Sequence, residues 1–506
     1  MDKREFLDHV ITTVRTLSLS AVMSTRMQLI QRGRNFKGLC PFHNDKSLGS
    51  FVVTDSKNIW KCFSCGVGGD AVKFISLFDN INYVEAAFKL ALEYNLITDY
   101  EYRKYFERSR YSKEQINRVI KKFEAMDKER LKNNIADTDT LNDVFSIFLQ
   151  SIEEYYTNNK DYEGLLSKKH KNYLMTKREL SITEIQEGSF FTYPSKWVMK
   201  RFTKKIRNKY GSDTILAEIP GFYKEIEKDY FTMVGHRGIG IPIKNAKDQI
   251  VGIQVRREDV NQQNAQATPT KKESRYVWLS SSFATFDDKY ECGTSSGSPV
   301  DVVFPSELKN STVFITEGRF KAMKLAKEKG SIVLSVQGVS TWKGVLAELQ
   351  TLSTMGHQID CIMIAFDADM NCNYAVFSQA RRMTEYLQKN GYFVYYLTWD
   401  ERLGKGIDDL IINGNIHAVK KYLPQIWNQA YDQMVNTMIN NIKAEAIDNN
   451  VRKLLEANNV QVGSSCQIKD IPTEVFQIYF NQLMTQIPPL LKGVRAPGHI
   501  KLKAAK

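Results

Sequence analysis

The sequence predicts a multidomain protein that joins α+β and α/β parts. It expects an N-terminal zinc ribbon, a mixed α+β basic subdomain, a parallel-sheet α/β subdomain and a helical C-terminal region. Three observations carry this. Two short Cys/His pairs, separated by 18 residues, stand near the N-terminus. Strand and helix patterns alternate from 312 to 412, the order that builds a parallel sheet with covering helices. The length, 506 residues, allows roughly three domains at about 150 residues each.

The first expected domain is 1–97. Residues 1–36 show helical spacing, with Phe6, Val10, Val14 and Leu17 close to one face. Residues 37–70 are rich in Gly and aromatics and hold β-like runs at Phe51–Val53 and Ile59–Phe63, the hairpin of a ribbon. A helix pattern resumes over Ala71–Tyr94. The paired motifs here are Cys40-Pro41-Phe42-His43 and Cys62-Phe63-Ser64-Cys65. Zinc takes four tetrahedral N or S donors, and a two-residue spacer lets both ends of a knuckle face one ion. Gly66, Gly68 and Gly69 give the turn its backbone freedom. With Cys40, His43, Cys62 and Cys65 all filled by protein, the site is structural and closed. Chance clustering of thiols is the competing reading, and two matching spacings outweigh it. Cys292, Cys361, Cys372 and Cys466 are scattered and read as ordinary thiols of a reducing compartment.

Residues 98–169 are polar, charged and helical in pattern, and read as a solvated linker. Residues 170–310 read as a mixed α+β region with strands at Gly240–Ile243 and Gln249–Val255 and a polar loop over 261–272. Its segment 196–210 holds Lys196, Lys200, Arg201, Lys204, Lys205, Arg207 and Lys209 without an acid, interleaved with Trp197, Phe202 and Tyr210. Such a segment can track a phosphate backbone and stack on bases. An amphipathic helix with core aromatics and solvated lysines fits the same pattern.

In the α/β part, 311–413, strands are expected at Val313–Thr316, Ile332–Val336, Cys361–Phe366 and Tyr392–Thr398. Helices are expected at Phe320–Lys329, Trp342–Thr354 and Tyr374–Lys389. Glu317-Gly318, Asp367-Ala368-Asp369 and Asp408-Asp409 each follow a strand. Open parallel sheets bind ligands beyond the carboxyl ends of their strands. Carboxylates gathered there repel one another and imply a cation, and all-oxygen donors suit Mg2+ or Mn2+. An isolated Asp-x-Asp is equally what a solvated strand-end loop shows; the three acidic motifs in strand order are the stronger signal. Residues 414–506 look helical, with Trp427, Tyr431, Val435, Met438 and Ile442 on one stripe and a basic tail from Leu491.

The net charge of +13 favours a polyanionic partner. No apolar run approaches the roughly 20 residues of a membrane span, and the N-terminus lacks the apolar stretch of a signal peptide. A soluble cytoplasmic protein with no membrane partner is expected.

The run from Gly38 through Lys46, followed by Cys62-Phe63-Ser64-Cys65-Gly66, resembles the zinc-binding domain of bacterial DnaG-type DNA primases. The three acidic motifs resemble the Toprim fold that these primases share with some topoisomerases and small nucleases. The resemblance covers roughly 37–97, 171–281 and 312–412. It implies synthesis of short RNA primers on single-stranded DNA from ribonucleoside triphosphates, with the ribbon on the template. It makes Glu317 the general acid/base or metal-linked carboxylate and Asp367, Asp369 and Asp408 metal ligands. Arg256 and Arg275, followed by Tyr276, fall where the family grips nucleic acid or nucleotide, with Arg237 and Arg257 as neighbouring alternatives. The C-terminal region sits where the family keeps its helicase-docking domain, so a replicative helicase is a candidate partner. Two departures stand out. Lys321 occupies a region that is often acidic, and the third motif is Lys405-Gly406-Ile407-Asp408-Asp409 instead of Asp-Pro-Asp, which leaves Asp408 and Asp409 both open as ligands. This version, with Ser295-Ser296-Gly297-Ser298 before it, resembles a divergent branch common in phages and mobile elements. Two rivals remain: a Toprim-type DNA-cleaving enzyme, which lacks a recognisable tyrosine cleavage domain here, and a non-catalytic DNA-binding accessory or helicase adaptor.

Overall fold

The ribbon begins earlier in the chain than helical spacing suggests. In the computed structural model, residues 1–36 form two helices, Lys3–Val14 and Leu19–Ser24, and then enter a sheet at Ile30. The Asp2 side chain accepts from the Arg4 and Glu5 amides and starts the first helix. Ser18 caps the second. Ile30, Gln31 and Arg32 pair antiparallel with Lys37, Phe36 and Asn35. The neighbouring strand supplies backbone partners, a tertiary cue that overrides local helical pattern. The structure describes residues 2–484 except 33–34, 44, 46–49, 108–110, 131–134, 259–273, 287–288, 459, 461, 464–465, 467 and 469–470. The expected polar loop at 261–272, the basic tail from Leu491, and Asn44 and Lys46 of the first motif lie outside the described residues.

The chain packs as two compact units. The first combines Met1–Ala136, Tyr193–Gly238 and Arg256–Ser296. Its N-terminal part carries a five-stranded antiparallel sheet in sequence order: Ile30–Arg32, Asn35–Gly38, Phe51–Thr54, Ile59–Cys62 and Gly68–Gly69. The expected hairpin is its centre, turning through Asn58 at φ +45°. The expected helix over Ala71–Tyr94 is two helices, Ala71–Phe78 and Tyr83–Glu93, because Asn80 turns left-handed and Asn82 caps the second. Trp60, buried against Phe51 and Phe74, donates its indole N–H to the Asp70 carbonyl at 2.9 Å. Elsewhere in this unit the basic helix Met199–Tyr210 packs through Phe202 onto Phe222, ring centroids 5.0 Å apart.

The second unit combines Asp137–Thr192, Ile239–Val255 and Gly297–Lys506. Its helix Thr138–Tyr156 falls in the segment expected to be a solvated linker. It instead buries Leu141, Val144, Phe145, Phe148 and Ile152, an apolar stripe at helical spacing that the neighbouring charge obscures. The strand expected at Gly240–Ile243 spans Gly238–Lys244, and the one expected at Gln249–Val255 spans Ile250–Arg257.

A six-stranded sheet dominates this unit, in the order Asp301–Val303, Ile332–Val336, Thr312–Glu317, Cys361–Ile364, Val394–Thr398, Lys420–Tyr422. The four central strands are parallel, as the βαβ pattern requires. Both edges are antiparallel, so the expected parallel sheet is mixed. The first edge strand arrives from before residue 311 and the last from after 413, without a crossover helix to announce either. Trp427, Tyr431, Val435, Met438 and Ile442, on helix Pro424–Lys443, are buried in the same core as the sheet. Helices Asn449–Ala457 and Thr473–Met484 add to that core. Among the described residues, no helix is long and apolar enough to cross a membrane.

Candidate functional site

Cys40, His43, Cys62 and Cys65 meet at the end of the ribbon hairpin, with ligand atoms all within 4.8 Å of one another. The Cys40 and Cys65 sulfurs are 3.8 Å apart, and Cys62 Sγ lies 3.9 Å from His43 Nδ1. A tetrahedron with metal–ligand bonds of about 2.3 Å has edges of about 3.8 Å. The four residues form a structural zinc site. Asp45 supports it: its Oδ2 accepts from the Cys40 amide at 3.0 Å, and its Oδ1 lies 3.9 Å from His43 Nε2. A carboxylate behind a ligating histidine fixes the ring's orientation.

Three turns at the carboxyl ends of neighbouring parallel strands carry the acidic motifs. Glu317 is the last residue of its strand, and Gly318 follows at φ +89°, a backbone conformation that strains any residue with a Cβ. Thr316 Oγ1 donates to the Ala365 carbonyl at 2.8 Å, locking that strand end to the Asp367 strand end. The Ala368 amide donates to the Lys405 carbonyl at 2.9 Å, tying the Asp367-Ala368-Asp369 turn to the turn before Asp408. Asp409 Oδ2 accepts from the Gly406 amide at 2.9 Å and so caps its own helix, Ile407–Ile412. Asp408 is instead buried beside Gly406, where an added Cβ would stand 2.4 Å from Asp408 Oδ1 and 2.9 Å from Lys321 Cε.

Lys321 is the group around which these acids gather. Its ammonium forms an ion pair with Asp367 Oδ1. Burial alone would depress it, but Asp367, Asp408 and Glu317 together raise its pKa. Burial pushes the Glu317 carboxyl up; Asp367 and Asp369 add to the rise, and Lys321 and Lys405 oppose it. Burial likewise raises Asp408, with Lys321 pulling it down and Asp409 and Asp367 pushing it up. Lys405 Nζ lies 3.7 Å from Asp369 Oδ2. Among the described residues, the Cys/His group is the one set of three or more such ligands drawn this close together; at the acidic turns the Lys321 ammonium pairs with Asp367. The hard oxygen donors of these turns fit Mg2+ or Mn2+. The lysines' place in the centre follows from tertiary packing and had no sequence signal beyond the departure at Lys321. Beside the same turn a cleft of about 860 Å³ is lined by Ala368, Asn371, Trp399, Arg402 and Lys420.

In the first unit, the helix Met199–Tyr210 buries Met199, Phe202 and Ile206 and exposes Lys200, Arg201, Lys204, Arg207 and Lys209. Phe202 is core, as the amphipathic-helix reading expects, while Trp197 is 78% exposed. Arg207 pairs with Asp213 Oδ2 at 2.8 Å, and Lys205 is half-buried. The Arg257 amide donates to the Arg275 carbonyl at 2.8 Å, and the Glu258 amide to the Arg237 carbonyl at 3.2 Å. Arg237, Arg256, Arg257, Arg275 and Tyr276 thus sit on adjoining strand ends. His236, which the sequence did not single out, stacks edge-on against Tyr193, and burial and Arg257 lower its pKa.

Residues 3–106 match the model of the CHC2 zinc finger. Residues 306–418 match that of a domain of unknown function, DUF3854. The DNA primase of Aquifex aeolicus is 47% identical over 87 residues, 17% of this chain and 17% of that protein. The DNA primase of Rickettsia typhi is 27% identical over 240 residues, 47% of this chain and 33% of that protein. Over these stretches the chain is similar to DnaG-type DNA primases. It spans about a sixth to a third of the length of these two primases. Among solved structures, the zinc-binding and RNA polymerase domains of the Aquifex aeolicus primase align over 95% of this chain and 97% of that chain at 19% identity, with a TM-score of 0.37. The zinc ligands fall inside the matched zinc finger, and the acidic motifs inside the matched 306–418 region.

Proposed function

We propose that the protein is a DNA primase: it joins ribonucleoside triphosphates into short RNA primers on single-stranded DNA and releases pyrophosphate. The observation that carries this reading is the gathering of Glu317, Asp367 and Asp408 around one ammonium group at the carboxyl ends of parallel strands. It stands in a chain similar in part to DnaG-type primases. Glu317, Asp367, Asp369 and Asp408 would hold Mg2+ or Mn2+, which would supply activation of the attacking 3′-hydroxyl and neutralisation of the leaving group. Asp409 is the weaker candidate ligand, because one of its oxygens is used in capping.

The chain's own residues do the rest. Gly318 turns the backbone so that Glu317 ends its strand at the centre. Arg256, Arg275, Tyr276 and Arg237 hold phosphates or the template, Arg gripping phosphate through two N–H groups. Lys204, Lys205 and Arg207 add a sequence-independent hold on the DNA backbone. On the ribbon, exposed Phe63 with Lys61 over its ring offers a stacking platform for a template base. In this reading 1–97 binds template, 170–310 is the basic half of the polymerase core and 311–413 the catalytic half. The remaining segments, 98–169 and 414–506, connect and buttress it. A replicative helicase is the expected partner and the cytoplasm the expected location.

The test is incubation with single-stranded DNA, Mg2+ or Mn2+ and labelled ribonucleotides. Template-dependent, alkali-sensitive oligomers are expected. The Lys321–Asp367 ion pair favours a second reading, a non-catalytic DNA-binding accessory with a neutralised centre. Tight DNA binding with no product on varied templates would establish that reading instead.

A further inference from the structure

The same carboxylate centre carries a finer assignment, which rests on reading it as a cation site. Lys321 projects from the helix Arg319–Lys329, which starts directly after Glu317-Gly318. Its side chain is 23% exposed and its partner Asp367 14%, so the pair is held within the centre and not on its rim. Asp408 and Glu317 add their attraction to that of Asp367. The turn at Gly406 passes close against it: a Cβ there would stand 2.9 Å from Lys321 Cε and 2.4 Å from Asp408 Oδ1.

Charge decides what else the centre takes. Glu317, Asp367, Asp369 and Asp408 carry four formal negative charges. Lys321, paired with Asp367, offsets one of them in place, and Lys405 offsets a second only while it stays at Asp369. The two lysines differ in how firmly they are held. Lys405 is 62% exposed and 3.7 Å from Asp369, a contact that a cation can displace at little cost. Lys321 is enclosed. We propose that the Lys321 ammonium is a built-in counter-ion occupying one cation position, so that the centre binds one divalent cation per chain, on the Asp369 side, instead of two.

The test titrates Mn2+ into the full-length, zinc-loaded protein, with calorimetry for affinity and electron paramagnetic resonance for free Mn2+. Zinc content and circular dichroism confirm that each variant is folded. Wild type is expected to take one Mn2+ per chain. Lys321→Met removes the resident charge and should admit a second Mn2+ or tighten the first by about tenfold or more. Lys321→Arg, which keeps the charge, should retain wild-type stoichiometry. Two Mn2+ bound by wild type would overturn the proposal, whether or not Lys321→Met folds. So would a folded Lys321→Met that titrates like wild type while Asp369→Asn loses Mn2+, and in that case the carboxylates remain the cation site. If Asp367→Asn and Asp369→Asn both titrate like wild type, the carboxylate reading falls and this inference with it.

Discussion

Arg319 connects the stability of the sheet to the position of Glu317. It lies two residues beyond Glu317 and reaches back to Asp301 on the antiparallel edge strand, Nη1 to Oδ1 at 2.6 Å. Arg319 is 7% exposed and Asp301 0%. The same Asp301 oxygen accepts from the Lys244 amide at 3.0 Å. Complete burial pushes the Asp301 carboxyl up, against the pull of Arg319 and the Lys244 amide. Replacing Arg319 with Met keeps much of the side-chain volume but leaves a buried carboxylate with one hydrogen bond, from the Lys244 amide, and only the weaker attraction of the Lys244 ammonium. Removing one partner of a buried pair costs about 3–5 kcal/mol. At about 2–4 °C per kcal/mol for a domain of a few hundred residues, the melting temperature should fall by roughly 6–20 °C. The double variant Arg319→Met/Asp301→Val removes both charges and should recover most of that loss, because the cost lies in the orphaned charge. Differential scanning calorimetry on wild type, both single variants and the double variant measures the cycle. A loss below about 1 kcal/mol for Arg319→Met, or a double variant as weak as the single, would refute the argument.

Four further outcomes are expected. Purified protein should carry one zinc per chain, lost in Cys62→Ser with unfolding of about 37–70, since a structural site couples metal binding to folding; metal analysis checks it. Affinity for single-stranded DNA should fall steeply between 50 and 200 mM salt. Replacing Lys204, Lys205 and Arg207 together should flatten the log–log slope by about 2, less if Asp213 already neutralises Arg207; an unchanged slope places the DNA path elsewhere. His236 has its pKa lowered by burial and by Arg257. The unfolded chain therefore binds more protons in the window below the ordinary histidine value of about 6.5, so this contribution to stability is present above that value and is lost as pH falls through the window. His236→Asn should flatten the fall in melting temperature between pH 7 and 5, and an identical pH profile would contradict the assignment. Phe63→Ala should weaken single-stranded DNA binding by roughly 5- to 150-fold if a base stacks there, from about 1–3 kcal/mol per stacked base.

The zinc site was legible because its chemistry is local. Two knuckles at fixed spacing meet wherever a hairpin joins them, and Phe51–Thr54 with Ile59–Cys62 is that hairpin. The strand ends were legible for a related reason: Ile332–Val336 and its neighbours are short apolar runs, and a βαβ order leaves their carboxyl ends on one side. Ile332–Val336 and the helix Tyr374–Lys389 coincide with the expected ranges residue for residue. Features made by tertiary pairing were not legible. Ile30–Arg32 becomes a strand only beside Asn35–Gly38. Asp301–Val303 and Lys420–Tyr422 become edges only because a sheet is there to join. The sequence marked Lys321 as a departure from an acidic pattern, but its contact with Asp367 depends on where the helix after Gly318 points. Nor did the sequence show that Asp409 caps its own helix through the Gly406 amide while Asp408 is buried beside it.

The most direct measurement compares primer synthesis by wild type and Asp369→Asn on the same single-stranded templates, with Mg2+ and labelled ribonucleotides. Asp369 faces the centre through an exposed lysine and not through the enclosed one, so the substitution removes a ligand charge without orphaning Lys321. The fold, the zinc content and DNA binding should be unchanged, since the ribbon and the basic helix are untouched. Template-dependent RNA from wild type and a loss of orders of magnitude in the variant are expected. Near-normal synthesis by Asp369→Asn would contradict the assignment of this centre, and no product from wild type with either metal would contradict the primase reading itself.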